Sequence, residues 1–298
     1  MFRGSIVALV TPMKADGELD HGALERLLEF HLASGTRGVV IAGTTGEAPT
    51  LDPDELEDLV ACAVAVCGDK IPVIGGSGTN CTRKTTELTR RVARGGADAA
   101  LVVTPYYNKP PQRGMAAHYR AVADDGQLPI ILYNVPGRTG CDLLPETVAE
   151  LAGHQGIVGL KEATPDLERL EDLRKACPEE FCLLSGDDAT ALGFMLGGGD
   201  GVISVTANVA PRLMRGMCEA ALGGEARKAR LLNDRMAGLH AALFCEPNPI
   251  PVKWGVWRLG LIEPGIRLPL AWLAPEHEGR VLDAMAAAGL DVSPTGVV

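Results

Sequence analysis

The stretch Gly156-Ile157-Val158-Gly159-Leu160-Lys161-Glu162-Ala163-Thr164 contains, in nine residues, the unit from which the chain is built. Its short apolar run, 157–160, is typical of a buried strand, and Lys161 lies where the run ends. Thr164 and Pro165 then form a predicted N-cap and first helical position. An ammonium group at the end of a buried strand is costly to desolvate unless it is paired or deprotonated. Lys161 is therefore either an ordinary charge that closes a strand or an amine nucleophile.

The same alternation of strand and helix recurs along the chain. Eight short runs rich in Val, Ile and Leu are too apolar for half-exposed antiparallel strands and are typical of a parallel sheet covered on both faces. Amphipathic segments with helix-start signals separate them, for example at Asp20 and at Asp52-Pro53-Asp54-Glu55. The predicted strands are 5–10, 39–42, 72–74, 99–103, 129–133, 157–160, 181–184 and 201–204.

Eight βα units between residue 5 and about residue 223 favour a closed (β/α)8 TIM barrel of the α/β class. The alternative is an open, doubly wound parallel sheet, because sequence alone does not show closure. After Gly223-Gly224 the strand signals stop, and helices are predicted at about 225–243, 250–260 and 276–288. We therefore predict a catalytic barrel at 1–224 and a C-terminal helical domain, a small bundle, at 225–298.

Composition limits the kinds of partner that the chain can have. A formal net charge of −10 argues against binding to nucleic acid or to an anionic membrane, both of which need clustered Lys and Arg. No apolar run approaches the roughly 20 residues that span a bilayer, and the N-terminal apolar run is too short for a signal peptide. The expected location is the cytoplasm.

Cofactor signatures are missing from the sequence. Eight cysteines form no CxxC pair and are expected to be small buried hydrophobes rather than disulfides or zinc ligands. Six scattered histidines offer no ligand spacing, and neither a Walker A sequence nor HExxH is present. We therefore expect no metal and no nucleotide cofactor.

Candidate site residues follow from the predicted barrel, since active sites of this fold lie at the C-terminal ends of the strands. An amine, three tyrosines, two adjacent threonines and an arginine would share that face. The relevant strand ends carry Thr44 and Thr45 (second), Tyr106 and Tyr107 (fourth), Tyr133 and then Arg138 (fifth), Lys161 (sixth), Gly186 (seventh) and Ile203 (eighth).

Each of these groups suits a step of amine catalysis. Burial at a barrel mouth would favour the neutral form of Lys161, which can attack a carbonyl, and a tyrosine can relay protons. The Thr44-Thr45 turn can present N–H and hydroxyl groups to a carboxylate, and the guanidinium fork of Arg138 suits a second one. Any one of them alone would more often be an ordinary turn, core or surface residue. Together they indicate an aldolase acting on a 2-oxo acid.

At these residues the chain resembles the 4-hydroxy-tetrahydrodipicolinate synthase family, also called dihydrodipicolinate synthase, of the pyruvate-dependent class I aldolase superfamily. The likeness runs nearly end to end. It is highly specific in its combination of GTTGE at 43–47, YNVPGRTG at 133–140 and GLKEAT at 159–164. The GTTGE turn and the lysine alone would identify only the superfamily.

The resemblance implies an activity and its main groups. Lys161 would form the Schiff base with pyruvate, Thr45 would hold the pyruvate carboxylate, and Arg138 would bind the carboxylate of L-aspartate 4-semialdehyde. The product would be 4-hydroxy-tetrahydrodipicolinate, in the biosynthesis of diaminopimelate and lysine. Members of the family are typically homotetramers built as dimers of dimers, and they use no cofactor beyond the covalent link to the substrate.

The resemblance also assigns supporting roles. Tyr133, Thr44 and Tyr107 would relay protons, with Tyr107 reaching into the site of the neighbouring subunit. Gly186 and Ile203 would line the site through their backbone.

Two other functions are compatible with the same scaffold. A sibling aldolase or lyase would act on N-acetylneuraminate or a 2-keto-3-deoxy sugar acid. Arg138 argues against it, because a sugar chain has no carboxylate for a guanidinium to bind. A non-catalytic sensor is the other alternative, since fold does not dictate function.

One departure from the family concerns feedback inhibition. Lysine-sensitive members resembling this chain carry two histidines and a glutamate where it has Pro53, Leu56 and Lys84, whereas Asn80 and Tyr106 are retained. Lys84 would place a positive charge where the ammonium of the effector should bind, and like charges repel. We expect weak or absent inhibition by lysine.

Overall fold

The computed structural model describes residues 2–125 and 127–292, and within them eight parallel strands close into a barrel in sequence order. The closing contact pairs β8 with β1, from Gly4 opposite Gly201 to Val7 opposite Ser204. The predicted TIM barrel is thereby confirmed, and the open doubly wound sheet was wrong. The strands are β1 (Gly4–Ala8), β2 (Gly38–Ile41), β3 (Val73–Gly76), β4 (Ala99–Val103), β5 (Ile130–Asn134), β6 (Ile157–Glu162), β7 (Cys182–Ser185) and β8 (Gly201–Ser204).

Each strand is followed by at least one helix before the next strand begins, and these helices cover the outside of the barrel. Around the barrel lie α1 (His21–Ser34), α2 (Pro53–Cys67), α3 (Thr82–Arg94), α4 (Gln112–Asp125), α5 (Pro136–Thr139), α6 (Pro145–Ala152), α7 (Glu168–Ala176), α8 (Ala191–Leu196) and α9 (Pro211–Leu222). Three further helices follow: α10 (Ala226–Ala242), α11 (Ile250–Arg258) and α12 (Pro275–Ala287).

Two of the predicted helix starts are confirmed by their capping contacts. The Asp20 side chain accepts a hydrogen bond from the backbone N–H of Ala23 (2.9 Å) at the start of α1. The Glu55 side chain accepts one from the backbone N–H of Asp52 (2.9 Å) at the start of α2. Both contacts satisfy backbone donors that a helix N-terminus otherwise leaves open, so these starts could be predicted from local sequence.

A third predicted start was wrong. Helix α7 begins at Glu168 and not directly after Thr164. The backbone N–H of Thr164 donates to the Glu162 side chain (2.9 Å), and the Asp166 side chain accepts from the N–H of Glu168 (3.0 Å). A turn stabilised by these contacts therefore separates strand and helix.

The hydrophobic core has an inner and an outer part. Successive side chains of each strand point to opposite faces, so that residues such as Ile6, Ile74 and Ile203 fill the barrel interior, whereas their neighbours pack against the helices. Helices α10–α12 belong to the same outer cluster as β1, through buried residues such as Met236 and Met285. The division at 224/225 stays a prediction, and residues 293–298 of the predicted C-terminal domain lie outside the described residues.

The cysteines differ in part from the expectation. All eight are free thiols, but only Cys67, Cys177, Cys182 and Cys218 are buried. The other four are partly exposed, so the prediction of burial was wrong for half of them. Among the described residues, no helix is long and apolar enough to cross a membrane.

His31 gives the fold a dependence on pH. It lies fully buried on α1 with Nδ1 2.9 Å from the Thr36 hydroxyl, and burial lowers the pKa of its imidazole to about 3. The unfolded chain, with a histidine pKa near 6.5, therefore binds the proton more tightly. Stability must fall as the pH drops from about 6.5 towards 3.

We expect the His31 imidazole to lower the free energy of unfolding by about 3 kcal/mol between pH 7 and pH 4. His31→Gln should flatten that part of the pH profile, measured by urea unfolding at each pH. His21→Gln removes an exposed imidazole from the same helix and should keep the wild-type profile. An unchanged slope in His31→Gln would show that another group is responsible.

Candidate active site

A cavity of about 490 Å³ opens at the C-terminal ends of the strands. Thr44, Tyr133 and Arg138 line it, and its other lining residues include Asn80, Lys84 and Tyr106. Three predicted site residues thus meet in one space although they come from separate parts of the chain. Parallel strands in a closed barrel produce this convergence.

Lys161 lies beside Tyr133 at the mouth of the barrel. The two residues are register partners on β6 and β5, and Nζ of Lys161 is 4.3 Å from the centroid of the Tyr133 ring. Both side chains are buried, at 5% and 6% exposure. Strand β6 continues to Glu162, two residues beyond the predicted end at Leu160, so Lys161 is its penultimate residue.

Gly186 makes room for the lysine chain. A Cβ atom at this position would lie 2.9 Å from Cε of Lys161 and 2.7 Å from Cβ of Ala163, which is closer than carbon atoms normally approach. Any larger residue would displace the amine from Tyr133. Glycine at the end of β7 is therefore a packing requirement of the site.

Glu162, next in sequence to Lys161, serves a different part of the molecule. Successive side chains of a strand point to opposite faces, and Glu162 contacts Arg169 (2.9 Å) and Asn134 (3.1 Å). Burial raises the pKa of the Glu162 carboxyl, and the Arg169 charge opposes the rise. The Glu162 carboxylate, although adjacent to Lys161 in sequence, therefore binds other residues and not the lysine amine.

The two buried lysines of the described residues differ in their partners. Lys253 is fully buried and forms an ion pair with the fully buried carboxylate of Glu47. For Lys161 the recorded neighbour is an aromatic face instead of a carboxylate. An ammonium ion is less well compensated by an aromatic ring than by a carboxylate, so Lys161 is the better candidate for a reactive amine.

The GTTGE segment at 43–47 forms a tight turn after β2. The carbonyl of Gly43 accepts hydrogen bonds from the N–H groups of Gly46 (3.1 Å) and Ala48 (3.2 Å), so Thr44 and Thr45 lie at its tip. Glu47 adopts a left-handed backbone with φ of 59°, which costs a non-glycine residue roughly 1–2 kcal/mol. Tertiary contacts of its carboxylate hold it there.

Those contacts come from the C-terminal helices and the segment between them. The Glu47 carboxylate binds Lys253 of α11 and accepts from the backbone N–H of Arg267 (3.1 Å). The Arg267 guanidinium in turn binds Glu55 of α2 through two hydrogen bonds of 2.6 and 2.7 Å. Sequence analysis assigned no role to Lys253 or Arg267, because partners more than 200 residues apart leave no local pattern.

Thr45 and Arg138 share a neighbour that sequence analysis also missed. Thr45 is 2% exposed, and its hydroxyl oxygen accepts a hydrogen bond from the side-chain amide of Asn248 (3.0 Å). The guanidinium of the exposed Arg138 donates to the backbone carbonyl of the same Asn248 (3.2 Å). The two residues predicted to bind carboxylates are thus joined through one residue of the C-terminal region.

Two predicted site residues lie apart from this group. Tyr107 is 88% exposed, has a left-handed backbone with φ of 74°, and is not among the residues that line the cavity of the described chain, whereas Tyr106 is. Ile203 is fully buried in the barrel interior, in the same cluster as Tyr133. Of the predicted site residues, Thr44, Tyr133 and Arg138 therefore line the cavity. Lys161 lies against Tyr133 and Gly186 against Lys161, whereas Thr45 is buried against Asn248.

Metal chemistry has no ready-made ligand set here. Among residues 2–125 and 127–292, no group of three or more His, Cys, Asp and Glu side chains is arranged to hold a metal ion.

Known proteins share both the sequence and the fold of this chain. The model of the dihydrodipicolinate synthetase family matches residues 1–288. The 4-hydroxy-tetrahydrodipicolinate synthase of Methylococcus capsulatus is 56% identical over 290 residues, which cover 97% of this chain and 100% of that protein.

Solved structures agree with this match. The crystal structure of chloride-inhibited dihydrodipicolinate synthase from Acinetobacter baumannii, complexed with pyruvate, has a TM-score of 0.96 and 49% identity, over 97% of this chain and 100% of that one. The lysine-bound enzyme of Cyanidioschyzon merolae has a TM-score of 0.93 and 40% identity, over 97% and 99% of the two chains.

Removing one partner of the buried Glu47–Lys253 ion pair should destabilise the fold. We expect Lys253→Met to lower the free energy of unfolding by about 3–5 kcal/mol, because it leaves a carboxylate buried without its partner. The double variant Glu47→Gln/Lys253→Met should recover part of that loss, since no charge then remains buried. Urea unfolding measures all three proteins.

Lys175→Met provides the matched control, because Lys175 pairs with Glu171 on the exposed surface of α7. It should unfold like the wild type. A Lys253→Met protein as stable as the wild type would show that the buried pair contributes little.

Proposed function

The chain belongs to the dihydrodipicolinate synthetase family, and on that premise we propose that it condenses pyruvate with L-aspartate 4-semialdehyde to give 4-hydroxy-tetrahydrodipicolinate. The family is one of class I aldolases, so the protein is an enzyme, and its pathway leads to diaminopimelate and lysine. The observation that carries the substrate assignment is the buried amine of Lys161 beside Tyr133, in a mouth that also contains Thr44 and Arg138.

Lys161 is the proposed nucleophile. Its neutral amine attacks the ketone carbon of pyruvate, and the resulting carbinolamine loses water to give a protonated imine. The positive imine nitrogen withdraws electrons, so a methyl proton of the substrate can leave to form an enamine. This covalent link supplies the electron sink that a cofactor would otherwise provide, and we propose that the enzyme uses neither a metal nor another cofactor.

The enamine then makes the carbon–carbon bond. Its nucleophilic carbon attacks the aldehyde of the second substrate, and the aldehyde oxygen takes up a proton. The amine of the former aspartate semialdehyde next attacks the imine carbon, closes the ring and expels the amine of Lys161. No atoms beyond the two substrates are consumed, and one water molecule is released.

Proton transfers in these steps are assigned to Tyr133, Thr44 and Tyr107. The position of Tyr133 against the lysine amine supports its role in adding and removing the proton of the carbinolamine hydroxyl. Thr44 lines the same cavity and would link Tyr133 to the third member of the relay.

The substrates carry carboxylates for which the site offers separate partners. We assign the pyruvate carboxylate to Thr45 and its turn, and the carboxylate of the aldehyde to Arg138, whose exposed guanidinium lies at the rim. Gly186 and Ile203 are assigned to the wall of the site through their backbone. The close approach of Gly186 to Lys161 supports the first of these two assignments.

A homotetramer, built as a dimer of dimers, is the proposed assembly. The 88% exposure of the Tyr107 side chain supports a position in which it enters the site of a neighbouring subunit. Light scattering tests the assembly, and a fully active monomer would contradict it. The cytoplasm is the proposed location, which cell fractionation tests.

The sugar-acid aldolase is not favoured by these observations. The relatives that match over the whole chain are named as synthases of 4-hydroxy-tetrahydrodipicolinate, and Arg138 provides a partner for a carboxylate on the aldehyde. Steady-state assays with both aldehydes distinguish the two activities.

Lys161 is tested by reduction of its imine. Borohydride added with pyruvate should attach one reduced pyruvate per chain at Lys161, located by peptide mass mapping. Lys161→Ala should lose both the adduct and the activity while keeping its circular dichroism spectrum. Lys175→Ala removes an exposed lysine and should trap pyruvate normally. Absence of an adduct on the wild type would favour the non-catalytic sensor.

Feedback inhibition by lysine is expected to be weak or absent. Leu56 and Lys84 line the cavity together with Asn80 and Tyr106, whereas Pro53 begins α2 outside the cavity wall. The Lys84 ammonium opposes the binding of a second ammonium there. Titration with lysine acetate against sodium acetate measures this, and strong inhibition at submillimolar lysine would refute it.

A further inference from the structure

Asn248 connects the two groups to which we assigned the substrate carboxylates. Its side-chain amide donates to the Thr45 hydroxyl oxygen (3.0 Å), and its backbone carbonyl accepts from the Arg138 guanidinium (3.2 Å). Asn248 is only 6% exposed and immediately precedes α11. Its side chain and its main chain therefore serve different partners.

The direction of the contact with Thr45 has a consequence for ligand binding. A hydroxyl group has one hydrogen to donate and two lone pairs that accept. Because the Asn248 amide already donates to the Thr45 oxygen, the hydroxyl hydrogen must point to another acceptor. A hydrogen bond accepted by a hydroxyl also strengthens the one that it donates.

Asn248 itself does not take that hydrogen. Its own Oδ1 is buried and has no hydrogen-bond partner among the described residues. The amide N–H of Asn248 thus donates to Thr45, and the amide oxygen of Asn248 does not accept from that hydroxyl. The Thr45 hydroxyl hydrogen is therefore not accepted by Asn248.

We propose that Asn248 is a positioning residue that sets the Thr45 hydroxyl as a hydrogen-bond donor to the carboxylate of the 2-oxo acid. Through its carbonyl it also holds Arg138 for the second carboxylate. The inference rests on the proposed function, which it deepens by naming what orients each carboxylate partner.

The surroundings keep Asn248 in place. Glu47, two residues after Thr45, forms its buried ion pair with Lys253, one turn into α11. The turn at 43–47 is therefore joined twice to the segment 248–253, by an ion pair and by the amide contact. This double attachment limits the freedom of the Asn248 side chain, as positioning requires.

The test uses side-chain variants, because these leave the carbonyl contact with Arg138 intact. Asn248→Ala should raise the pyruvate concentration for half-maximal borohydride trapping, and the KM for pyruvate, about tenfold. The KM for the aldehyde should stay within about twofold of the wild type, because Arg138 keeps its partner.

Asn248→Asp is the decisive variant and preserves the size of the side chain if Asn248→Ala folds poorly. Its carboxylate can only accept a hydrogen bond, so it would take the Thr45 hydrogen and repel the substrate carboxylate. The effect on pyruvate should exceed that of Asn248→Ala. Asn233→Ala, on α10 and outside the site, is the matched control and should leave both KM values unchanged.

A double-mutant cycle separates positioning from general structural support. Once Thr45→Val has removed the hydroxyl, adding Asn248→Ala should cause little further change in half-saturation by pyruvate. Additive losses would overturn the proposal. So would a joint rise of both KM values with a lowered melting temperature, because that pattern indicates a structural role.

The outcomes also distinguish this proposal from the proposed function. If the wild type traps no pyruvate, the Schiff-base function fails whatever Asn248 does. If the wild type traps pyruvate and Asn248→Asp does so with the same half-saturation, the function stands and the positioning role is wrong.

Discussion

The pairing of β8 with β1 is the contact on which the rest of the molecule depends. It satisfies the backbone groups that an open sheet would leave at two edges, and it makes every strand a central one. It also brings all eight C-terminal strand ends to one mouth. Without it, Tyr133 and Lys161 would still be neighbours on β5 and β6, but Thr44 on the far side would face no common space with them.

The C-terminal region packs on the barrel and also contacts the turn of the candidate active site. Its helices share the outer hydrophobic cluster with β1. The region from Asn248 to Arg267 contacts the GTTGE turn at Thr45 and Glu47, and the first turn of α2 at Glu55. A turn that must hold Glu47 in a left-handed conformation needs such external support. The cost of desolvating the Glu47–Lys253 pair is the reason to regard it as a device for geometry rather than for net stability.

The two buried lysines, Lys161 and Lys253, have different surroundings, and these suit one to catalysis and the other to structural support. Lys253, next to a carboxylate, is an ion-pair partner; burial lowers its pKa, and the Glu47 charge opposes the shift. Lys161, next to an aromatic face and with Glu162 turned to the helix layer, has its amine available at the mouth. Residue type alone cannot distinguish them, because the difference lies in the group that each amine contacts.

Local sequence patterns were enough to predict the order of strands and helices and the caps at Asp20 and Asp52. They also place Lys161 in one candidate site, because that prediction depends on strand ends. They predicted the start of α7 wrongly, since the contact between Thr164 and Glu162 depends on how the turn folds back. Barrel closure and the contacts of Asn248 depend instead on tertiary structure. Hydrogen bonds between residues some two hundred positions apart leave no trace in periodicity, and they form only when the whole chain is packed.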